Sequence, residues 1–151
     1  MAAVAAKVGL SGRAVAIVPD EASAARARKG AADAGVLVEV ETAPPTRVPL
    51  ADEEIDLAVI DETGCLLRTL QSNDRLVAVR EVLRILRPGG RVLVVGTAPP
   101  SGIGAWLTRA PGTPPFDPSP ELQAGGFKSV RTLAEREGLV FIEGIKPRRA
   151  S

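Results

Sequence analysis

The chain has 151 residues, of which 45% are hydrophobic and 25% charged, and its formal net charge is +1. Such a balance is typical of one globular domain with one core, so we expect a single domain over residues 1–151. The near-neutral charge excludes the long-range field that steers a protein to nucleic acid or to an anionic membrane. Because the chain has no histidine, catalytic triads with histidine and histidine metal sites are excluded as well.

The location of the protein is predicted from what its sequence does not contain. Cys65 is the single cysteine, so no intrachain disulfide can form. The first ten residues have no long apolar core of a signal peptide, and no apolar run approaches the ~20 residues that span a bilayer. We therefore expect a cytoplasmic protein that uses neither a disulfide nor zinc.

The first part of the chain predicts alternating helices and strands. Ala2–Gly9 is rich in alanine and predicts a short helix, and Arg13–Val18 is an apolar run that predicts a buried parallel strand. Asp20 is a good N-cap for the helix that follows, and Gly35 is a good stop. Val36–Glu41 alternates enough for a strand near a sheet edge, and a proline-rich loop comes after it.

The middle of the chain continues the same alternation. Glu54–Asp61 predicts a buried strand, and Ser72–Arg87 is the clearest helix because its apolar residues repeat at helical spacing. Pro88–Gly90 predicts the end of that helix. Arg91–Gly96 predicts another central strand.

The last part of the chain predicts a change from parallel to antiparallel strands. Thr97–Pro120 is dense in glycine and proline and predicts a long loop with a short helix around Ile103 to Thr108. Phe127–Pro147 alternates on both sides of Glu137-Gly138, which is a hairpin signature. The fold class is therefore α/β, with a mostly parallel sheet and a C-terminal antiparallel hairpin.

Two stretches carry a resemblance to a known family. Val48–Ile60 (VPLADEEIDLAVI) and Arg80–Val95 (REVLRILRPGGRVLVV) resemble class I S-adenosylmethionine-dependent methyltransferases, especially the quinone-biosynthesis C-methyltransferases and methyltransferases of type 11. The resemblance extends from about Ala2 to Lys146. It implies a Rossmann-like methyltransferase sheet, with a cofactor at the carboxyl ends of its first strands.

The departures from this family concern the cofactor. The resemblance begins inside the helix that follows the family's first strand and glycine-rich loop, so we expect a truncated domain without them. Val18 stands where the family has the acid that binds ribose, and Ala43–Pro45 stands where an Asp meets adenine. A charge-assisted hydrogen bond contributes roughly 1.5–3 kcal/mol, so these two losses would weaken binding by about two to four decades. We expect a degenerate cofactor site.

Four residues remain as candidates for holding S-adenosylmethionine. Asp20 could replace the ribose acid, although helix capping explains it better. Asp61, Glu62 and Gly64 follow a strand where the family often positions substrate, although ordinary loop residues would look the same. No catalytic residue and no metal ligand is predicted.

Two further features allow a functional and a structural interpretation. Cys65 could be a nucleophile, but no histidine is present to activate it, and a small buried thiol explains it better. The arginines of Ser72–Arg87 could form an anion-binding patch, but a solvated helix face explains them better.

The sequence leaves three hypotheses for function. The first is a methyltransferase-like domain that binds no cofactor and acts as a binding or regulatory module. The second is an active S-adenosylmethionine-dependent methyltransferase of a small molecule, with an unconventional or partner-completed cofactor site. The third is a truncated gene product without a selected function.

The absence of the family's first strand has a structural consequence, because this strand lies between its second and fourth strands. Two rows of backbone groups would be left unpaired. We expect Arg13–Val18 to pair directly with Leu57–Ile60, and a homodimer or a partner polypeptide to cover the remaining apolar surface.

Overall fold

The computed structural model describes residues 12–98 and 116–149. The chain divides into two compact units, Met1–Leu50 and Ala51–Ser151. The helices predicted at Ala2–Gly9 and around Ile103–Thr108 lie outside the described residues. None of the described helices has the length and apolar character needed to cross a membrane. Whether the two units act as the single domain expected over residues 1–151 stays a prediction.

The first unit is a strand-helix-strand motif. Strands β1 (Val15–Val18) and β2 (Glu39–Thr42) pair in parallel, and helix α1 (Glu21–Asp33) supplies the crossover that parallel strands need. The helix ends in a Schellman motif: Gly35 has a φ of 65°, and the N–H of Val36 donates to the carbonyl of Ala31 (3.0 Å). Because Val36 is bound to the helix end, the second strand begins at Glu39 and not at Val36 as predicted.

The second unit is a four-stranded mixed sheet with helices. Its strand order is β3-β4-β6-β5, with β3 and β4 parallel and the other two pairs antiparallel. In chain order, its elements are β3 (Ile55–Asp61), α2 (Leu66–Thr69), α3 (Ser72–Ile85), β4 (Leu86–Thr97), α4 (Ser119–Gly125), β5 (Lys128–Arg136) and β6 (Leu139–Ile145).

The structure confirms the α/β class and the C-terminal antiparallel hairpin. Strands β5 and β6 are joined by Glu137 and Gly138, whose φ angles of 54° and 76° are those of a two-residue turn of the primed type. The twist of such a turn matches the twist of the strands that flank it. The glycine at the second turn position is the residue that this conformation favours.

The boundary between α3 and β4 differs from the prediction. The helix ends at Ile85, the strand begins at Leu86, and Pro88–Gly90 lies inside the strand. Proline disfavours helical backbone at the residue before it, so the helix cannot reach Arg87. The extra residues are absorbed by a shift of register, since Ile55 pairs with Leu86 whereas Leu57 pairs with Arg91. Helices α2 and α4 were not predicted.

The expected pairing of Arg13–Val18 with Leu57–Ile60 is wrong. Strand β1 pairs with β2, and β3 pairs with β4, in two separate sheets. Among the described strands, β3 has one neighbour and is an edge of its sheet. The pairing partners of β1 and β3 follow the chain, because each strand is joined to its neighbour by a helical crossover.

The core of the second unit lies between the sheet and helices α3 and α4. Its largest fully buried side chains come from every layer and comprise Leu67, Val79, Leu86, Val92, Val94, Leu122 and Phe127. Helix α4 approaches α3 closely at Gly125, where a Cβ atom would overlap with Cγ1 of Val79. Because Val79 is fully buried, its side chain has little room to move away.

We predict opposite effects for two Gly→Ala substitutions in helices. Gly125→Ala forces α3 and α4 apart and lowers the free energy of unfolding by about 1–3 kcal/mol. Gly30→Ala is the matched control, since a Cβ there meets nothing within 4 Å and alanine favours the helix by about 0.5–1 kcal/mol. Urea unfolding followed by circular dichroism measures both. Equal effects of the two substitutions would contradict the close helix contact.

Candidate functional site

Asp20 is held by the helix that it caps. It follows β1, and its Oδ1 atom accepts a hydrogen bond from the N–H of Ser23 (2.7 Å), the third residue of α1. This bond to the backbone is the main reason why the pKa of Asp20 lies below its ordinary value. The carboxylate is exposed, and the turn at the start of α1 fixes its direction.

Asp61 is the last residue of β3, and Glu62 begins a turn that leads into α2. The Oδ1 atom of Asp61 accepts hydrogen bonds from the N–H (3.1 Å) and the hydroxyl (2.5 Å) of Thr63. Glu62 is buried, and its two oxygens accept from the N–H groups of Leu67 (2.7 Å) and Arg68 (3.0 Å). Both oxygens of Glu62 are thus used to cap a helix of four residues.

Gly64 and Cys65 complete this turn without signs of a ligand site. A Cβ atom on Gly64 would meet nothing within 4 Å, so the chain itself does not require glycine there. Cys65 has a left-handed backbone, with a φ of 59°, and its thiol is half-buried. The prediction of a small buried thiol is therefore partly met.

The four candidate residues are divided between the two units. Asp20 belongs to the first unit, whereas Asp61, Glu62 and Gly64 belong to the second. The carboxylates of Asp61 and Glu62 are neighbours in sequence but bind different backbone groups. Within the described residues, no group of three or more acidic or cysteine side chains could hold a metal ion.

Two arginines of α3, Arg75 and Arg84, and Arg87 just after the helix form ion pairs within the second unit. Arg75 binds Glu121 (2.7 Å), Arg84 binds Glu81 (2.9 Å) and Asp52 (2.7 Å), and Arg87, in β4, binds Asp56 (2.6 Å). The hydrogen bond from Arg84 to Glu81 is the largest of the effects that hold the pKa of the guanidinium above its usual value. These guanidinium groups are therefore neutralised by the chain's own carboxylates.

Arg75 connects α3 with four other parts of the second unit: α4, α2, the residue that follows α2, and Phe116. This role of Arg75 was not predicted from the sequence. Besides its ion pair with α4, it donates to the carbonyls of Leu67 (3.0 Å) and Leu70 (3.1 Å), and its guanidinium lies 4.9 Å from the ring centre of Phe116. One signal was present in the sequence: Arg75 lies four residues before Val79, on the apolar face of its helix.

A second buried carboxylate lies in the sheet. The side chain of Glu143 on β6 is 5% exposed and binds Arg91 on β4 (3.2 Å) and Arg131 on β5 (3.1 Å). The three residues join three neighbouring strands on one face of the sheet. Because both arginines are largely exposed, the cluster is a cross-strand bridge at the surface.

The second unit also has a small cavity at the end of β4. Its volume is about 180 Å³, and its wall combines apolar side chains with polar ones. The lining residues are Thr97, Phe116, Asp117, Ser119, Thr132, Val140 and Ile142. Asp117 is engaged by the chain itself, since its Oδ1 atom accepts from the N–H of Ser119 (2.9 Å).

Comparison with protein families shows which family this chain belongs to. The family model described as a methyltransferase domain matches residues 1–94, which is more than half of the chain. The chain belongs to this methyltransferase family. A search of curated proteins gave no match. The family and the fold place the methyltransferase domain in the S-adenosylmethionine-dependent class I superfamily, as the resemblance implied.

Solved structures of the same fold support this assignment. A methyltransferase from Aquifex aeolicus has 18% identity and a TM-score of 0.73, with 95% of this chain and 74% of that chain covered. A methyltransferase from Methanosarcina mazei has 17% identity and a TM-score of 0.62, with coverage of 89% and 82%. The [4+2]-cyclase SpnF has 16% identity and a TM-score of 0.62, with coverage of 95% and 70%. At these identities the likeness shows the fold alone.

We predict that Glu62→Gln lowers the free energy of unfolding by about 1–3 kcal/mol. Glutamine has one acceptor oxygen, so one of the two N–H groups of α2, of which that of Leu67 is buried and that of Arg68 part-buried, loses its partner. Asp61→Asn is the matched control, because its partner Thr63 is exposed and the expected change is within about 0.5 kcal/mol. Urea unfolding measures both variants. A destabilisation as large in Asp61→Asn would mean that the cap is not the cause.

We also predict that Asp20 contributes to stability in a pH-dependent way. Its folded pKa is below the ordinary value of 3.8, so its contribution is present above that pH and is lost as the pH falls through the folded pKa. Asp20→Ala is therefore less stable than the parent near neutral pH, and the difference shrinks in acid. Asp20→Asn keeps the cap but loses this pH dependence. Thermal unfolding between about pH 6 and about pH 3 tests both statements.

Proposed function

We propose that this methyltransferase domain has lost S-adenosylmethionine binding and acts as a binding or regulatory module. The observation that carries the proposal is the end of β1. Val18 stands at the position that the family resemblance assigns to the ribose acid, and the first carboxylate after it, Asp20, caps α1. A ribose bound there would meet an apolar side chain and a carboxylate whose direction is set by the helix.

The adenine side supports the same proposal. Ala43–Pro45 stands where the family has an acid, and none of these three side chains can accept a hydrogen bond. The N–H of Ala43 is already used, because it donates to the carbonyl of Val18 (3.0 Å). Proline has no N–H to offer. The residues present do not fit the polar edges of this cofactor.

The residues after β3 do not replace the missing contacts. Glu62 uses both of its oxygens for α2, and Oδ1 of Asp61 is held by Thr63. A protein named as a [4+2]-cyclase has a similar fold. This supports the view that a methyltransferase fold alone does not imply methyl transfer.

The module is proposed to act as a homodimer. An exposed strand edge favours association because its backbone groups can pair with another strand, and exposed apolar side chains favour it because they are costly to leave in water. The described part of the chain offers both, since β3 is a sheet edge and Leu57 on it is 48% exposed.

A second function is favoured by the strand pairing. Strands β1 and β3 each have one neighbour among the described strands, so either could accept a strand from a partner polypeptide. A partner strand that carried a glycine-rich loop would bring backbone N–H groups for a cofactor. In this alternative the completed protein is an active S-adenosylmethionine-dependent methyltransferase of a small molecule.

The decisive experiment is calorimetric titration with S-adenosylmethionine and with S-adenosylhomocysteine, with the fluorescence of Trp106, the single tryptophan, followed in parallel. We expect no heat and no fluorescence change up to millimolar ligand. Micromolar binding by the chain alone would overturn the proposal. Asp20→Ala and Asp61→Ala would then distinguish a site in the first unit from a site in the second.

A further inference from the structure

Helix α2 is short and is held at both ends by charged side chains. It has four residues, too few for a helix to persist without outside support. At its start, both oxygens of Glu62 accept from backbone N–H groups. At its end, the guanidinium of Arg75 donates to the carbonyls of Leu67 (3.0 Å) and Leu70 (3.1 Å). An anion at the start and a cation at the end complement the helix dipole, so α2 depends on two side chains outside it.

Arg75 is shared between this helix and a carboxylate that is only half satisfied. Its Nη1 group donates to Oε1 of Glu121 (2.7 Å). Oε2 of Glu121 is buried, and no group among the described residues donates to it. A buried carboxylate oxygen without a donor is costly, whereas the Nη2 group of Arg75 is used by the carbonyl of Leu70. Two sets of acceptors therefore compete for one guanidinium.

We propose that Arg75 and Glu121 form a conformational switch that closes and opens α2. In the closed arrangement, which the structure shows, Arg75 binds the end of the helix and Glu62 caps its start. In the open arrangement, Arg75 turns to both oxygens of Glu121, α2 loses its support, and the carboxylate of Glu62 is released.

The switch concerns a residue that the sequence singles out. Glu62 follows the strand after which the family often positions substrate, and in the closed arrangement both of its oxygens are occupied by α2. The switch therefore controls whether this carboxylate is free to contact a ligand. It goes beyond the proposed function and is independent of whether the chain binds S-adenosylmethionine.

The open arrangement satisfies Glu121 at the expense of the helix. Arginine and carboxylate then form two parallel hydrogen bonds, a pairing that adds energy and a fixed geometry. The ring centre of Phe116 lies 4.9 Å from the guanidinium of Arg75, and this attraction persists in both arrangements because it does not depend on which N–H groups are donated. Bonds to two carbonyls are exchanged for one bond to a buried charge. The exchange therefore changes the free energy little, as a switch requires.

Two residues of the α2 region favour opposite positions of the switch. Leu67 is 1% exposed and packs in the core, which favours the closed helix. Cys65 has a left-handed backbone, with a φ of 59°, which costs energy in a residue that has a side chain. Opening of α2 relieves this conformation. The closed arrangement is therefore the major one, and the open one is a minor state within reach.

Hydrogen exchange of two amides in the full chain, followed by NMR, measures the opening of α2. The N–H of Thr69 donates to the carbonyl of Cys65 (3.0 Å), and the N–H of Leu70 to that of Leu67 (3.2 Å), so both exchange when the helix opens. We expect both to exchange through an opening that leaves the core folded, and so faster than the amide of the buried Val79. Exchange of all three amides at one common rate would overturn the proposal.

Two substitutions have opposite effects if Glu121 competes with α2 for Arg75. Glu121→Gln keeps one acceptor for Arg75 but removes the pairing through two oxygens, so α2 should open less and the exchange of Thr69 and Leu70 should slow roughly threefold or more. Arg75→Gln removes the donor that holds the helix end, so their exchange should become roughly tenfold faster or more. If Glu121 merely supported Arg75, both substitutions would speed the exchange.

Glu81→Gln is the matched control. Glu81 also pairs with an arginine of α3, Arg84, and its side chain is 20% exposed against 23% for Glu121. It should change the exchange in α2 by less than about twofold. Unchanged or faster exchange in Glu121→Gln would overturn the proposal, and so would an equal change in Glu81→Gln. Circular dichroism establishes that the variants are folded; if Arg75→Gln is not, Arg75→Lys replaces it, with faster exchange expected because lysine cannot bind all of these acceptors at once.

Discussion

The parallel pairing of β3 with β4 is the constraint on which the second unit depends. It requires a crossover, and the chain from Glu62 to Ile85 supplies it with α2 and α3 on the way. Glu62 contributes both to the strand pairing and to the crossover. Its N–H donates to the carbonyl of Val95 on β4, and its carboxylate caps α2. The position of α3 then determines where α4 and Phe127 can pack, because Gly125 lies against Val79.

Local signals in the sequence predicted most of this architecture. The helical spacing of apolar residues in α3, the cap at Asp20 and the turn at Glu137-Gly138 each reflect interactions between residues close in sequence, so they can be read without knowing the fold. Helix α2 was not predicted because the hydrogen bonds that cap it come from the carboxylate of Glu62. This residue precedes the helix, and strand β3 orients it. The true start of β4 was missed because Pro88–Gly90 is a stop signal for helices, and a register shift in a strand leaves no sequence pattern.

The candidate site was predicted less well than the fold, for a physical reason. A carboxylate that caps a helix and one that binds a ribose are the same residue type in similar places, and only the geometry of the hydrogen bonds separates them. Asp20 and Glu62 both turned out to serve the backbone. The roles of Arg75 and Glu143 depend on partners 46 and 52 residues away in sequence, Glu121 and Arg91, and no local pattern announces such partners.

The asymmetry of the four-stranded sheet has a consequence for the size of any assembly that it forms. A filament built by strand addition needs two sheet edges on every subunit that can pair with another strand. One edge binds the end of the filament, and the other binds the next subunit. In this sheet, β5 is made unsuitable by its charges and its irregular pairing. Growth of this four-stranded sheet by strand addition would therefore stop after one pairing, at β3.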